Sequence, residues 1–300
     1  MKHQEVLALL TEQGVACQAD CPLSRLCTFG IGGSAALVIR PQSVGELSLA
    51  VRVLRDAELP FAVIGRGSNL LFGDGRLQTV LILTAGLDGL TVTGQTICAD
   101  AGVSLAALAV AAADAGLSGL AFAAGIPGSV GGATVMNAGA YGSAMSDVVV
   151  RSTALDTETG EVLTLTDHGF GYRESIYQRQ PRLICLHAEF LLTEGNTAQI
   201  RQHMRELARQ RREKQPLAYP SAGSYFKRPE GHFAGKLIED CSLKGCSVGG
   251  AAVSEKHAGF LINTGNATAE DVLALEEQIR RTVYERFGVE LEREVRLILH

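Results

Sequence analysis

Three hundred residues, 46% hydrophobic and 20% charged, suffice for one large domain or for two to three smaller ones with real cores. A formal net charge of −5 argues against a general nucleic-acid binder. The opening MKHQEVLALLTEQG reads as an amphipathic helix rather than a signal peptide. No stretch approaches the roughly 18 uncharged apolar residues of a membrane span, so no membrane partner is expected and the cytoplasm is the simplest location.

In chain order, a first full helix is expected from Ser43, where SVGE is a capping-box pattern and Val44, Leu47, Val51 and Leu54 fall at helical spacing until Pro60. PFAVI (60–64) reads as a buried strand running into the glycine loop GRGSN (65–69), and TVLILT (79–84) as a second β-rich run. LTVTG and TICAD form a hairpin around Gly94-Gln95, and Ser104 caps an alanine-rich helix that stops at Gly116. VVVRSTALD and EVLTLT make another hairpin through TETG. Meanders mixed with helices argue for an α+β fold rather than a doubly wound sheet.

Residues 196–214 predict a basic helix with the apolar stripe Ile200, Met204 and Leu207. Its five arginines and a lysine read as a solvated face rather than an RNA-binding one. KQPLAYPSAG is a plausible domain junction. A capped helix follows at TAEDVLALEEQIRRTVYERFG, with Val272, Leu275, Ile279, Val283 and Phe287 near one face. VELEREVRLIL (289–299) alternates with period two and predicts a strand with its carboxylates on one surface. The seven cysteines include no CxxC and no standard zinc spacing. They read as reduced, mostly buried thiols, and no metal is expected.

No charged side chain occurs between Asp114 and Asp147, and within that stretch lies GIPGSVGGATVMNAGAYG (125–142). Neither this run nor GRGSN is a Walker A loop, because no Gly-Lys-Ser/Thr follows, and neither is a Rossmann fingerprint, because GRGSNL has Leu70 where the third glycine would be and the long run has the wrong spacing, GxxGxxGG. Glycine-exposed amides can bind phosphate without lysine, and the same glycines suit tight turns packed in a core. The pairing of two such loops, one after a strand and one after a helix, favours a dinucleotide.

The ordered motifs TFGIGG (28–33), VIGRGSNLL (63–71), AGIPGSVGGATVMNAGAYG (124–142), GYRES (171–175), YPSAGSYFKRP (219–229), GKLIE (235–239), HAGFLIN (257–263) and EVRLI (294–298) give the chain a family likeness. Over nearly its whole length it resembles the UDP-N-acetylenolpyruvoylglucosamine reductase family. The resemblance implies a two-subdomain FAD-binding unit of the vanillyl-alcohol-oxidase-like (PCMH) type plus a C-terminal α+β substrate domain, with limits near 1–80, 81–200 and 215–300. It implies an NADPH-dependent oxidoreductase of peptidoglycan precursor synthesis. The family reaction reduces the enolpyruvyl double bond of UDP-N-acetylglucosamine enolpyruvate to UDP-N-acetylmuramate. Rival readings are an FAD-dependent oxidase of the same fold acting on an alcohol or sugar, and a nonenzymatic nucleotide-binding protein.

Carried over residue by residue, the resemblance makes Ser224 the proton donor and puts Arg173 and Glu294 at the substrate carboxylate. An arginine suits a carboxylate by its bidentate fork, and a protonated glutamate could donate to an enolate if its environment raised its pKa. FAD is expected at Ile31, Gly32, Gly33, at Gly65, Arg66, Gly67, Ser68, Asn69, at Gly125, Ile126, Pro127, Gly128, Ser129, Gly131, Gly132, and at Asn137, Ala138 and Gly139. The GRGSN loop holds no His or Cys, so the flavin is expected to be noncovalent. Tyr219, Tyr225, Lys227, Arg228 and Lys236 suit a uridine diphosphate group. The chain departs from the family in Gly30, where a larger residue is common, and in lacking the insertion that carries a site-closing tyrosine in longer members. Tyr225 is the candidate to replace that tyrosine.

Overall fold

A computed structural model describes residues 2–299. The chain divides into two compact units, the first comprising Met1–Ala19, Leu37–Arg66 and Thr79–Arg211, the second Asp20–Ala36, Gly67–Gln78 and Arg212–His300. The limit expected near residue 80 falls at the first residue of the strand Val80–Leu83, inside a sheet. Parallel pairing is the reason: Val80–Leu83 lies between Ser34–Arg40 and Phe61–Ile64, so segments on both sides of residue 80 share one ladder. Fully buried residues such as Leu37, Ile39, Val80 and Ile82 make these near-continuous hydrophobic runs, as a parallel sheet requires.

The helix Val44–Asp56 covers this sheet. The Ser43 hydroxyl accepts from the Glu46 N–H at 3.1 Å, as the capping pattern predicts, but the Glu46 carboxylate reaches back to Gln42 N–H rather than to Ser43. The rest of the first unit is an antiparallel five-stranded sheet ordered Val162–Leu165, Val149–Asp156, Leu183–Leu191, Thr96–Asp100, Leu90–Thr93. Both expected hairpins are in it. The alanine-rich helix Leu105–Asp114, capped by Ser104, packs on this sheet through Leu105, Leu108, Ala109 and Ala112. A parallel and an antiparallel sheet in one chain, each with its own helices, are the α+β organisation read from the sequence.

The basic helix spans Thr197–Lys214, with Ile200 and Leu207 buried and Met204 packed against the core of the antiparallel sheet.

The second unit carries the four-stranded antiparallel sheet Ser221–Ser224, Phe260–Asn263, Ala251–Val253, Ser247–Val248. The helix Ala269–Phe287 packs on it through the predicted Val272, Leu275, Ile279 and Val283. Its ends are fixed by a Thr268–Asp271 capping box and by left-handed Gly288. Phe287, expected on that stripe, is exposed. The eleven-residue strand expected at 289–299 is not formed. Only Arg296–Ile298 pairs as a strand, parallel to Leu70–Phe72. Residues 289–295 form an irregular segment anchored by buried Leu291 and Val295, so its alternating pattern reflects burial of side chains rather than a ladder.

Candidate active site

In the first unit the long glycine run is partly stitched to the segment before the alanine-rich helix. Val130 N–H donates to Val103 O at 2.8 Å, Gly131 N–H to Ala101 O at 2.9 Å, and Leu105 N–H to Gly128 O at 3.1 Å. Ile126 N–H is used locally, on Ala123 O. Several amides of GIPGSVGG are therefore structural, and Gly131 is a packing glycine: a Cβ there would sit 2.7 Å from that of Ala101.

Ser129 and Gly65 behave differently. A Cβ on Gly65 would lie 2.2 Å from the Ser129 hydroxyl oxygen, so the two glycine loops touch here and only glycine fits. Ser129 stands at the N-cap of the short helix Val130–Val135 but makes no capping bond. Its hydroxyl is buried without a hydrogen-bond partner among the described residues. A buried hydroxyl left open between two glycine-lined backbones is an arrangement that a polar ligand group completes. These residues fit the phosphate-bearing part of a dinucleotide cofactor. Of the neighbouring residues expected there, Pro127 and Gly132 are exposed, as is Arg66.

The second half of the run, NAGAYG, is a tight hairpin. Gly139–Ala140 pairs with Ser143–Ala144 across Tyr141 and Gly142, whose φ angles of 56° and 87° give a two-residue turn of the primed type. Asn137, with φ 40°, is buried. Its amide donates to Gly171 O at 2.9 Å and accepts from Ser146 N–H at 2.9 Å. Ala138 bonds Ala133 and Met145 through its backbone. Asn137 and Ala138 thus hold the loop's own shape.

Arg173 is fixed against this hairpin. Its backbone is left-handed at φ 58°, a conformation that only a locked turn maintains for arginine. The lock is explicit: Gln178 Nε2 donates to both Arg173 O and Val135 O, and Ser175 Oγ donates to Val135 O at 2.7 Å. The guanidinium donates to Gly139 O at 3.2 Å and to Asn137 O at 3.5 Å and stacks near the Tyr172 ring. Behind the turn lies a buried polar chain that sequence reading missed. The Ser152 hydroxyl is 2.8 Å from His168 Nε2 and 2.7 Å from the Tyr177 hydroxyl. Burial lowers the His168 pKa and raises that of Tyr177. These residues lie far apart in sequence and carry no spacing signal.

In the second unit, Ser224 ends the strand Ser221–Ser224 and is exposed. Gly223 before it is left-handed, with φ 82°, and the register shifts between Ser221 and Ser224, so a bulge aims the hydroxyl off the ladder. Directly after it, Tyr225 O accepts from Glu294 N–H at 2.9 Å and Lys227 N–H donates to Glu292 O at 2.8 Å. Ser224 and Glu294 are therefore carried on two paired segments. Asn69 of GRGSN ties the same place from the other side, with Nδ2 on Glu294 O at 3.1 Å and its carbonyl accepting from Arg296 N–H at 3.0 Å. Asn69 thus positions Glu294.

Tyr225, expected to contact substrate and to close the site, is only 1% exposed. Its hydroxyl donates to the Glu276 carboxylate at 2.8 Å, so this placement commits the phenol to the core rather than to a ligand. Glu276 is itself buried and also accepts from Arg293 Nε at 2.7 Å. The sequence offered one signal for this pair, a glutamate beside Leu275 within the buried stripe of its helix. Lys227 is paired with Glu292 and Lys236 with Asp240, and Arg228 lies over the Phe233 ring at 4.0 Å. Tyr219 is exposed at the surface.

Ile31 is buried in this unit's core. Gly32, Gly33 and Gly67 are required by close approach: a Cβ on each would meet Phe72, Gly75 O and Leu26 O respectively. Those glycines are explained by packing within the second unit, whereas Gly125–Gly132 belong to the first.

Residues 35–166 match the family described as FAD binding domain, and residues 215–298 match the UDP-N-acetylenolpyruvoylglucosamine reductase C-terminal domain. UDP-N-acetylenolpyruvoylglucosamine reductase from Caldanaerobacter subterraneus subsp. tengcongensis is 48% identical over 279 residues, covering 92% of each chain. The chain belongs to the UDP-N-acetylenolpyruvoylglucosamine reductase family. Among solved structures, the reductase from Thermus caldophilus superposes with a TM-score of 0.79 at 34% identity, over 94% of this chain and 98% of that one. Phl p 4.0202, described as a glucose dehydrogenase, shares 16% identity at a TM-score of 0.53 over 64% of this chain and 44% of its own, a likeness of fold alone. The FAD-binding match contains Gly65, Ser129 and Asn137. The reductase-specific match contains Ser224, Tyr225 and Glu294, which separates the fold shared with other flavoproteins from the segment particular to the reductase family.

Proposed function

We propose that this chain is the NADPH- and FAD-dependent reductase of its family, acting on UDP-N-acetylglucosamine enolpyruvate to give UDP-N-acetylmuramate. Membership of the family over almost the whole chain supports the activity. The observation that carries the chemistry is the bond from Glu294 N–H to Tyr225 O, which keeps an exposed serine hydroxyl and a carboxyl side chain on paired segments.

FAD, if bound, would supply the hydride-transfer chemistry that links NADPH to reduction of the enolpyruvyl double bond. What this chain's residues do follows from their placement. Gly65 and Ser129 would hold the cofactor's polar backbone in the first unit. Arg173, held by the carbonyls of Asn137 and Gly139, presents its fork to the substrate carboxylate and stabilises the negative charge that spreads there from C2. Ser224 gives its hydroxyl proton to C2. A serine is a weak acid, so it donates only because the carbanionic carbon is strongly basic and the bulge fixes the hydroxyl. Glu294, tied by Asn69 and Tyr225, is by family likeness the second group for the substrate carboxylate. Lys227, Arg228, Lys236 and Tyr219 supply cationic and aromatic groups suited to the uridine diphosphate. Tyr225 leaves that set for the reason given above. The substrate is a small UDP-sugar, and none of the described helices is long and apolar enough to cross a membrane. Together these support cytoplasmic action.

The flavin is held without a covalent bond. Cys27, whose backbone lies against Gly67, has its thiol pKa raised by burial and donates to Ile31 O, which makes it a poor nucleophile. Acid precipitation is expected to release all yellow colour into the supernatant, and colour in the pellet would refute this.

The deciding experiment separates the two half-reactions. Ser224→Ala is expected to let NADPH bleach the flavin at the wild-type rate and to slow reoxidation by the enolpyruvyl substrate by at least about 100-fold, the usual range for a lost proton donor. Reoxidation at the wild-type rate would remove Ser224 from the donor role. Rapid reoxidation by air without substrate would favour an oxidase instead.

A further inference from the structure

The charge-free stretch between Asp114 and Asp147 has a cation beside it that comes from a distant part of the sequence. Arg211 lies in the last turn of the basic helix Thr197–Lys214. A Cβ placed on Gly125 would lie 3.2 Å from Arg211 Cδ, 3.5 Å from Nη1 and 4.0 Å from Nε. The arginine therefore runs along the backbone of the first glycine of GIPGSVGG. Tyr141, at the tip of the NAGAYG hairpin, donates to Leu207 O at 3.2 Å, one helical turn before Arg211. Arg211 is thus bracketed by the two ends of the glycine run.

The other arginines of the helix are placed differently. Arg201, Arg205, Arg209 and Arg212 are exposed, and only Arg211 is partly buried. Arg201 pairs with Asp114 and Arg209 with Glu206. Among the described residues, Arg211 makes no hydrogen bond or ion pair with any carboxylate. Burial lowers its pKa from the ordinary value, the sign of a guanidinium partly stripped of water without a compensating anion. The glycine run beside it contains no Asp or Glu to supply that anion. A ligand that brings its own negative charge completes the arrangement, and a guanidinium fork matches paired phosphate oxygens.

We propose that Arg211 binds the phosphate oxygens of a nucleotide diphosphate at the Gly125 end of the glycine run. The proposal rests on the reading of that run as part of the nucleotide-binding machinery. It assigns to the basic helix a ligand role that its overall surface character conceals. FAD, NADPH and the UDP-sugar share the diphosphate chemistry, and the test distinguishes them.

Arg211→Gln and Arg211→Lys are made in the full chain, stripped of flavin and retitrated. FAD affinity is read from flavin fluorescence, and the affinities for the nicotinamide nucleotide (as non-reducing NADP+) and for the enolpyruvyl substrate from perturbation of the bound flavin's absorbance. The expected result is a rise of about tenfold or more in the dissociation constant of at least one of the three for Gln, the scale of a lost charge-assisted contact, with a smaller rise for Lys. The nucleotide affected names the source of the phosphate. Gly125→Ala, at a position whose φ is not left-handed, pushes the arginine aside and is expected to raise the same constant. The double variant should be no worse than the worse single, since both remove one interaction. If Arg211→Gln does not fold, Gly125→Ala carries the test. Three constants within twofold of wild type, or fully additive effects of the two changes, would overturn the proposal. Wild-type chain that takes up no FAD would instead overturn the cofactor reading itself.

Discussion

The backbone N–H of Glu294 donates to the carbonyl oxygen of Tyr225 at 2.9 Å, and this bond sets Glu294 beside the residue that follows Ser224. The two groups lie far apart in sequence, so their pairing depends on a β-type contact made outside any regular sheet, with a single bridge between Phe226 and Arg293. On the proposed roles of Ser224 and Glu294, whatever stiffens that contact should affect the reaction without touching the substrate.

Asn69 is one such group. Its side-chain amide is the donor to Glu294 O, and removing it leaves a part-buried carbonyl without that donor. Asn69→Ala is expected to cost about 1 kcal/mol of stability. It should slow reoxidation of the flavin by substrate about tenfold, the equivalent of roughly 1.4 kcal/mol in the barrier. Flavin reduction by NADPH should be unchanged. Stopped-flow measurement of both half-reactions checks this, and equal slowing of both would show a general loss of structure instead.

Glu276 is a second. It is buried, with one carboxylate oxygen shared by Tyr225 and Arg293 and the other left without a hydrogen bond, 3.9 Å from Arg280. Glu276→Ala strands the Arg293 charge and the Tyr225 hydroxyl and is expected to destabilise the fold by about 3–5 kcal/mol. Glu276→Gln keeps an acceptor and should lose less, about 1–3 kcal/mol. Urea unfolding of the two variants gives both values, and a loss below about 1 kcal/mol for Ala would show that the buried ion pair is not structural.

Gly65 and Ser129 make a reciprocal pair. Gly65→Ala drives a methyl into the Ser129 hydroxyl at 2.2 Å and is expected to lower stability by about 1–3 kcal/mol. Ser129→Ala removes a hydroxyl that has no partner in the ligand-free chain, so it should cost little or no stability while weakening FAD binding. The double variant should recover the melting temperature of Ser129→Ala, because the remaining Ser129 Cβ is at 3.5 Å, but not wild-type FAD affinity. A double variant as unstable as Gly65→Ala would place the clash elsewhere.

The pH dependence of stability follows from His168. Burial holds its pKa below the ordinary 6.5, with Asp167 opposing the effect. Below pH 6.5 the unfolded chain therefore takes up a proton that the folded chain resists. The contribution of neutral His168 is complete above that pH and is lost as pH falls through the lower folded value. His257, also lowered by burial, adds to the same slope. The melting temperature should drop between about pH 7 and pH 5, and His168→Asn should flatten part of that drop. An unchanged profile in the variant would exclude His168 as the acid-sensitive group.

Local chemistry explains what was legible in the sequence. Ser43, Ser104 and Thr268 cap the helices their spacing predicts, because a cap depends on residues within one turn. The alternation at 289–299 misled for a related reason. Period two reports which side chains are buried, and with only a single bridge, to Phe226, before Arg296, Leu291 and Val295 are buried from an irregular segment instead.

By itself the sequence determined the helices and hairpins, the stripes that face the cores, and the set of motifs whose order marks the family. These depend on neighbours a few residues away or on the motifs themselves. Only the tertiary structure decided that Tyr225 belongs to the core, that Asn69 holds Glu294, that several amides of the glycine run are already bonded, and that Arg211 lies against Gly125. These contacts are set by how sheets and helices pack once formed, and the longest of them, Asn69 to Glu294, spans 225 positions. No local pattern encodes such a contact, because the same residue types serve equally well as solvated charges or turn formers until a specific partner is brought within bonding distance.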